Sequence, residues 1–170
     1  MDLEKSIRDI PNFPKEGIIF KDITPLLKDP KALREAHSRI AEHFKDKKID
    51  IIAGAESRGF IFGMGVAMLM GLGFVPIRKP GKLPFDTYSE SYDLEYGSDS
   101  LEVHTDAFEK GQRVLLIDDL LATGGTMSAC EKLVEKCGAE VAGTTFLIEL
   151  GFLKGREKLK TDEIFSVLNY

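Results

Sequence analysis

Two adjacent acids, Asp118 and Asp119, stand between an apolar run at residues 114–117 and a segment with two glycines at residues 122–126. The apolar run predicts a strand covered on both faces, and ligands of open α/β sheets bind beyond the carboxyl ends of such strands. The segment after the acids offers backbone N–H groups, two threonine hydroxyls and a helix start, which together suit a phosphate group. We therefore predict a phosphate cradle in which both acids accept hydrogen bonds from sugar hydroxyls. The cradle residues are Ala122, Thr123, Gly124, Gly125 and Thr126.

A simpler interpretation exists for each part of this pattern. An isolated Asp-Asp pair often caps a turn, and Gly-Gly often does no more than permit one. The ordered combination of strand, acids, glycine turn and helix start favours the cradle.

These residues need an alternating framework of strands and helices to hold them. Asp29 and Pro30 form an N-cap followed by proline at the first helical position, and apolar residues then recur every three or four positions up to residue 44. The pattern predicts a mainly parallel α/β sheet with helices on both faces, in one domain. The further predicted elements are strands at 49–54, 74–77, 113–117 and 141–148 and helices at 60–70 and 126–137.

A long polar stretch at residues 79–97 interrupts the alternation. A structureless segment of this length in a compact domain is usually disordered or functional, often as a lid. Short strands near residues 92–95 and 101–104 would make part of it a hairpin, with residues 97–100 as the turn.

The composition limits the classes of partner. The 170 residues include 23 Lys plus Arg and 28 Asp plus Glu, for a net charge of -5, so we expect no general affinity for nucleic acid or for a membrane surface. The uncharged stretch 59–77 is divided by glycines and Pro76 into a helix, a turn and a strand. Cys130 and Cys137 are two helical turns apart, and we expect free thiols in a reducing cytoplasm. We expect structural roles for the three histidines, which are His37, His43 and His104.

The thirteen residues 114–126 resemble the phosphoribosyl pyrophosphate signature of the type I phosphoribosyltransferases. Motifs at residues 13–14, 17–26, 56–60, 78–84, 92–97 and 153–159 are similar to those of the adenine-specific members of that family. The resemblance covers essentially the whole chain. It implies the type I phosphoribosyltransferase fold over residues 1–170, with a small N-terminal hood at about 1–30 and a flexible lid loop or hairpin at about 79–100.

The resemblance also implies an activity. Members of the family transfer ribose 5-phosphate from phosphoribosyl pyrophosphate to a base, here to N9 of adenine, giving AMP and pyrophosphate in purine salvage. Mg²⁺ would be bound mainly through phosphoribosyl pyrophosphate, without direct protein ligands. A cytoplasmic homodimer is implied as well.

The same resemblance implies which residues contact pyrophosphate. Arg58 matches the arginine that contacts pyrophosphate, and a cis peptide bond is expected between Glu56 and Ser57. A cation at the start of a helix opposes the helix dipole unless an anion compensates it, which favours a functional role for Arg58. Glu56 and Ser57, through backbone N–H groups of their turn, are further pyrophosphate candidates. The side-chain candidates are Arg78, Lys79 and Lys82.

The resemblance also implies which residues contact adenine and which residue moves its proton. Glu95 matches the acid/base residue that handles the adenine proton at N7, and Tyr96 lies beside it on the lid. Ile19 and Lys21 would contact adenine through their backbones. Phe20 and Leu121 would pack around it.

Two competing classes remain open. A regulator on the same fold could sense phosphoribosyl pyrophosphate and bind nucleic acid, although the net charge does not favour it. An enzyme of the same family could use hypoxanthine, guanine, orotate or uracil. A dinucleotide-binding site is disfavoured because Gly63-Met64-Gly65 lacks the third glycine at the required spacing, and no P-loop Gly-Lys-Ser/Thr occurs.

Overall fold

A computed structural model of the chain describes residues 1–94 and 97–170. Within these ranges an alternating α/β core is preceded by a short N-terminal hairpin and interrupted by a second hairpin. The strands are β1 (Arg8–Pro11), β2 (Ile19–Asp22), β3 (Ile51–Ala55), β4 (Gly73–Ile77), β5 (Thr87–Asp93), β6 (Ser98–His104), β7 (Arg113–Leu121), β8 (Glu140–Glu149) and β9 (Ile164–Asn169). The α-helices are α1 (Thr24–Lys28), α2 (Pro30–Phe44), α3 (Arg58–Met70) and α4 (Gly125–Lys136).

Five parallel strands form the central sheet in the order β4-β3-β7-β8-β9. Side chains of β7 alternate between the two faces of this sheet. Val114 and Leu116 belong to the apolar core on the side of α4, whereas Leu115 and Ile117 belong to the core on the side of α2 and α3. The predicted parallel sheet with helices on both faces is therefore confirmed.

Local signals in the sequence account for the helices that flank the sheet. The Asp29 side chain accepts hydrogen bonds from the backbone N–H groups of Lys31 and Ala32, which caps α2 as predicted. Gly71, at φ 67°, ends α3 in the left-handed conformation that glycine adopts without strain. None of the described helices has the length and apolarity needed to cross a membrane.

Two predictions about elements were wrong. β7 continues to Leu121, so Asp118 and Asp119 lie inside the strand and not after it, because β8 pairs with β7 as far as Glu149. Residues 98–100 belong to β6 and not to a turn, since they pair with residues 91–93. The strand β9 was not predicted at all.

The two hairpins occupy the segments expected as hood and lid. β1 and β2 pair antiparallel, and the Arg8 side chain holds Asp22 by hydrogen bonds of 3.0 and 2.6 Å. β5 and β6 form a separate antiparallel sheet that packs against α4. A backbone bridge between Arg78 and Glu102 connects this sheet with the residue that follows β4.

The histidines contact other residues of the fold, and the cysteines form no disulfide bond with each other. Cys130 and Cys137 are both free thiols. His43 lies 2.9 Å from a carboxylate oxygen of Glu163, His37 packs against Phe62, and the ring of His104 accepts a hydrogen bond from the backbone of Phe85.

Candidate active site

The two acids of β7 differ in their surroundings. Asp119 is 6% exposed, and its backbone N–H donates to Oδ1 of Asp118 at 2.8 Å. Burial, followed by the neighbouring charge of Asp119, raises the pKa of Asp118 well above its ordinary value. Asp118 therefore binds a proton more tightly than an ordinary carboxylate does, and it lies beside the second carboxylate, Asp119.

Arg58 is the first residue of α3 and reaches the acids directly. Its Nε atom lies 2.6 Å from Oδ2 of Asp119. The Asp119 carboxylate of β7 therefore compensates the positive charge that Arg58 places at the start of α3. Gly59 permits this approach, because a Cβ atom there would lie 3.0 Å from the Ile117 carbonyl oxygen and 3.1 Å from Oδ1 of Asp118. The expected cis peptide bond between Glu56 and Ser57 is present immediately before α3.

Residues 122–126, called the phosphate turn below, connect β7 with α4. They line a cavity of about 190 Å³ together with Arg58 and the two acids. Gly124 has φ 85°, and α4 begins at Gly125, one residue earlier than predicted. The backbone N–H groups of the first helical turn thus lie at this cavity, as an anion site requires.

A second, polar cavity of about 340 Å³ also has Arg58 in its lining. Glu56, Ser57, Lys79 and Tyr92 contribute to its lining. The Lys79 backbone N–H donates to Glu56 at 2.6 Å, and its ammonium group contacts Asp99 and the hydroxyl of Tyr92. This cavity therefore combines fixed cations with carboxylates that hold them in place.

Arg78 and Lys82, the other pyrophosphate candidates, are differently placed. Arg78 Nε lies 3.3 Å from Glu56, which lines the polar cavity, but Arg78 itself is not part of that lining. Lys82 is exposed, and within the described residues its side chain is not part of the cavity lining.

An apolar cavity of about 250 Å³ lies beneath β2. Ile19, Phe20 and Lys21 line it, and the ring of Phe20 packs edge-on against Phe13. The Lys21 ammonium group is directed elsewhere, to Asp9 at 2.7 Å and over the ring of Tyr170. The structure thus brings together the three hood residues predicted to surround the base.

Leu121 is not part of the lining of the apolar cavity. Successive residues of a strand point to opposite faces, and Leu120 is the one of the two that lines the apolar cavity, although both line the cavity at the phosphate turn. Leu120 lines the apolar cavity, whereas Leu121 is buried in the core and faces Gly155. Leu120 is therefore the leucine of β7 that faces the apolar cavity beneath β2.

Arg58 and Asp119 line all three cavities. The apolar cavity, the phosphate turn and the polar cavity consequently meet at one ion pair. Glu95 and Tyr96, the remaining predicted residues, lie outside the described residues.

Residues 22–168 match the family model of the phosphoribosyl transferase domain. Over all 170 residues the chain is 57% identical to an adenine phosphoribosyltransferase of Methanococcus maripaludis, of which it covers 99%. The chain belongs to the adenine phosphoribosyltransferase family.

Solved structures of this family agree with the fold. The adenine phosphoribosyltransferase of Thermoanaerobacter pseudethanolicus is 53% identical, with a TM-score of 0.96 over 99% of this chain and 98% of that one. The Saccharomyces cerevisiae enzyme, solved with adenine and an imino-altritol bisphosphate, is 43% identical, with a TM-score of 0.91 over 98% and 97%. This chain therefore has the type I phosphoribosyltransferase fold expected from its motifs.

Sequence reasoning missed several residues of this adenine phosphoribosyltransferase family site. Tyr92 belongs to a motif that was recognised, but a tyrosine in a polar stretch gave no sign of its contact with Lys79. Asp99 was placed in a turn, and no signal connected it with Lys79. Leu120 could have been found by counting strand alternation back from the phosphate turn.

Proposed function

We propose that this chain transfers ribose 5-phosphate from phosphoribosyl pyrophosphate to N9 of adenine and releases AMP and pyrophosphate. The observation that carries the proposal is the convergence of an apolar cavity, a phosphate turn and a polar cavity on Arg58 and Asp119. A base, a sugar phosphate and a pyrophosphate need these three environments next to one another.

The apolar cavity suits adenine because the base is uncharged. Ile19, Phe20 and Leu120 offer apolar surface, and the backbone of β2 offers hydrogen-bonding groups. Sites of this kind obtain selectivity from a few polar groups in an apolar lining.

Asp118 and Asp119 would accept hydrogen bonds from the ribose hydroxyls, while the 5-phosphate rests on the phosphate turn. The negative charge of the pair, carried by Asp119 beside Arg58, would also stabilise the ribosyl cation that develops as pyrophosphate leaves, as carboxylates do in glycoside cleavage. The central position of β7 keeps both groups in place.

Arg58 and Lys79, with Arg78 next to Glu56, would offset the charge that grows on the leaving pyrophosphate. The polar cavity also presents carboxylate oxygens of Glu56, Asp118 and Asp119, which are the donor type that Mg²⁺ prefers. Mg²⁺ bound with phosphoribosyl pyrophosphate would neutralise further charge there.

Glu95 would accept and return the adenine proton at N7. In the sequence it comes shortly after β5, whose Tyr92 lines the polar cavity. A carboxylate in this role works best when it is partly shielded from water.

A homodimer is supported by an apolar face on α3. Ile61, Met64, Met68 and Leu69 are 40%, 47%, 78% and 55% exposed, which is unusual for four large apolar side chains on one helix. We expect Met68→Glu to convert a dimer into a monomer in sedimentation velocity experiments, and an unchanged dimer would place the interface elsewhere. The free thiols of Cys130 and Cys137 support a reducing, cytoplasmic location.

The test is to supply phosphoribosyl pyrophosphate and Mg²⁺ with adenine, hypoxanthine, guanine, orotate or uracil and to measure pyrophosphate release. We expect rapid release with adenine. Release with hypoxanthine or uracil and none with adenine would overturn the proposal.

A further inference from the structure

A second turn supports the phosphate turn from behind. It is the 3₁₀ turn Gly155–Lys158, called the rear turn below, and Gly155 is buried within it. A Cβ atom on Gly155 would lie 2.4 Å from the carbonyl oxygen of Ala122, and a Cβ atom on Gly124 would lie 2.4 Å from the carbonyl oxygen of Gly155. The two backbones therefore touch at two points, with no side chain between them.

Arg156 fixes the position of the rear turn. Its guanidinium forms a fork on Glu149, with Nε 2.6 Å from Oε1 and Nη2 2.7 Å from Oε2, and Ser166 donates to the same carboxylate at 2.7 Å. Such bidentate pairs are among the strongest and most directional hydrogen bonds in proteins. Arg156 thereby connects the rear turn with β8 and with Ser166 of β9.

Glu149 is in turn fixed to the strand that leads into the phosphate turn. It is the last residue of β8 and is paired with Leu121, the last residue of β7, and the N–H of Leu150 donates to Leu121 at 2.9 Å. Glu149 is only 7% exposed, and hydrogen bonds from Arg156 lower its pKa, so it is ionised at neutral pH. A closed path of contacts runs from β7 through Glu149, Arg156 and Gly155 back to the phosphate turn.

We propose that Arg156 is a positioning residue for the phosphate monoester of the donor, acting through Gly155 on the backbone of the phosphate turn. This inference rests on the proposed function, which assigns the 5-phosphate to that turn. Among the described residues, Arg156 is not part of the lining of the cavity at the phosphate turn. Its effect on binding therefore has to pass through the backbone.

The test measures the binding of ribose 5-phosphate by calorimetry, together with the binding of adenine as a readout of the apolar cavity. Arg156→Met removes the charged fork and should weaken the binding of ribose 5-phosphate by about tenfold. The affinity for adenine should stay within about twofold of the wild-type value. In turnover, KM for phosphoribosyl pyrophosphate should rise by a similar factor, while kcat should change less. Gly155→Ala keeps both charges but moves the backbone, and it should produce the same pattern.

Control variants separate positioning from charge and from general stability. Arg113→Met disrupts an Arg–Glu pair with Glu140 at the other end of the sheet and should leave ribose 5-phosphate binding unchanged. In the double variant Glu149→Gln with Arg156→Met, the carboxylate charge that Arg156→Met leaves unpaired is absent, but the fork is still missing. Its affinity for ribose 5-phosphate should therefore stay low. Full recovery in the double variant would show that charge alone was at work and would overturn the proposal.

The remaining outcomes also decide the matter. If Arg156→Met does not fold, Arg156→Lys keeps the charge without the fork and should weaken ribose 5-phosphate by about threefold. Wild-type affinity in whichever variant folds, combined with a lower Tm, overturns the positioning role. A wild-type chain that binds ribose 5-phosphate but makes no AMP contradicts the proposed function and leaves this test intact, whereas a chain that does not bind ribose 5-phosphate overturns both.

Discussion

The Nε atom of Arg58 lies 2.6 Å from Oδ2 of Asp119, which joins the first residue of α3 to a carboxylate inside β7. Arg58 is half-exposed, whereas Asp119 is almost fully buried. The pair therefore holds a cation at the surface of three cavities with an acid that cannot easily move.

Arg58→Gln should lower kcat strongly. In the proposed function the substitution removes the cation that would face the leaving pyrophosphate, and the loss of one such stabilising group costs about 10²–10³-fold in rate. Steady-state kinetics at saturating adenine and phosphoribosyl pyrophosphate measure the effect. Arg34→Gln, at an exposed position on α2, is the matched control and should retain full activity. A normal kcat in Arg58→Gln would exclude Arg58 from leaving-group stabilisation.

Glu95→Leu should lower the chemical rate far more than it lowers donor binding. A positioned acid/base group contributes about 10²–10⁴-fold to a rate, and leucine cannot carry the proton. Single-turnover rates and the Kd of phosphoribosyl pyrophosphate measure the two effects separately. Glu109→Leu replaces an exposed carboxylate beyond the lid hairpin and should change neither quantity. Normal turnover in Glu95→Leu would show that another group moves the proton.

Gly59→Ala should destabilise the fold and reduce activity together. The added methyl group meets the Ile117 carbonyl oxygen at 3.0 Å and Oδ1 of Asp118 at 3.1 Å, so α3 has to move away from β7. Overpacking of this kind costs about 1–3 kcal/mol in the free energy of unfolding. Urea denaturation and kcat are the measurements.

The control for Gly59 is Gly73→Ala. A Cβ atom on Gly73 would have its nearest neighbour at 3.8 Å, an ordinary contact distance. We expect stability and activity close to those of the wild-type chain. Equal effects of the two substitutions would contradict the assignment of close helix–strand packing to Gly59.

Asp22 should make the fold sensitive to acid. Hydrogen bonds from Thr24, and then from Arg8, lower the pKa of Asp22 from 3.8 to about 2. Because the folded pKa is the lower one, the stabilisation is complete above pH 3.8 and is lost as the pH falls towards 2. Thermal unfolding between pH 5 and 2 should therefore show a shallower loss of Tm in Asp22→Asn. Asp46→Asn, at an exposed position after α2, should follow the wild-type curve, and a wild-type slope in Asp22→Asn would contradict the prediction.

Periodic patterns in the sequence identified most of the central fold. Asp29 and Pro30 marked the start of α2 because capping depends on adjacent residues. The apolar run of β7 is also a pattern of adjacent residues and predicts a strand correctly, but it places the end of that strand too early. Two acids look like the end of a strand, and only the pairing with β8 shows that the strand continues to Leu121.

Contacts between distant segments explain what the sequence did not reveal. The fork of Arg156 on Glu149 joins residues that look like ordinary surface charges when they are read separately. Ser98, Asp99 and Ser100 have turn-like composition, yet their pairing with β5 makes them a strand. Strand alternation favours Leu120 over Leu121, but the choice depends on which face of β7 the hood covers.

The central position of β7 affects how the molecule loses activity on heating. Strands bonded on both sides belong to the part of a protein that opens last, together with global unfolding. The backbone amides of residues 114–117, which pair with both β3 and β8, should accordingly be among the slowest to exchange with solvent. The strand that carries Asp118 and Asp119 is then as durable as the whole domain, and a decline of activity with temperature that precedes unfolding would have its origin in the peripheral hairpins.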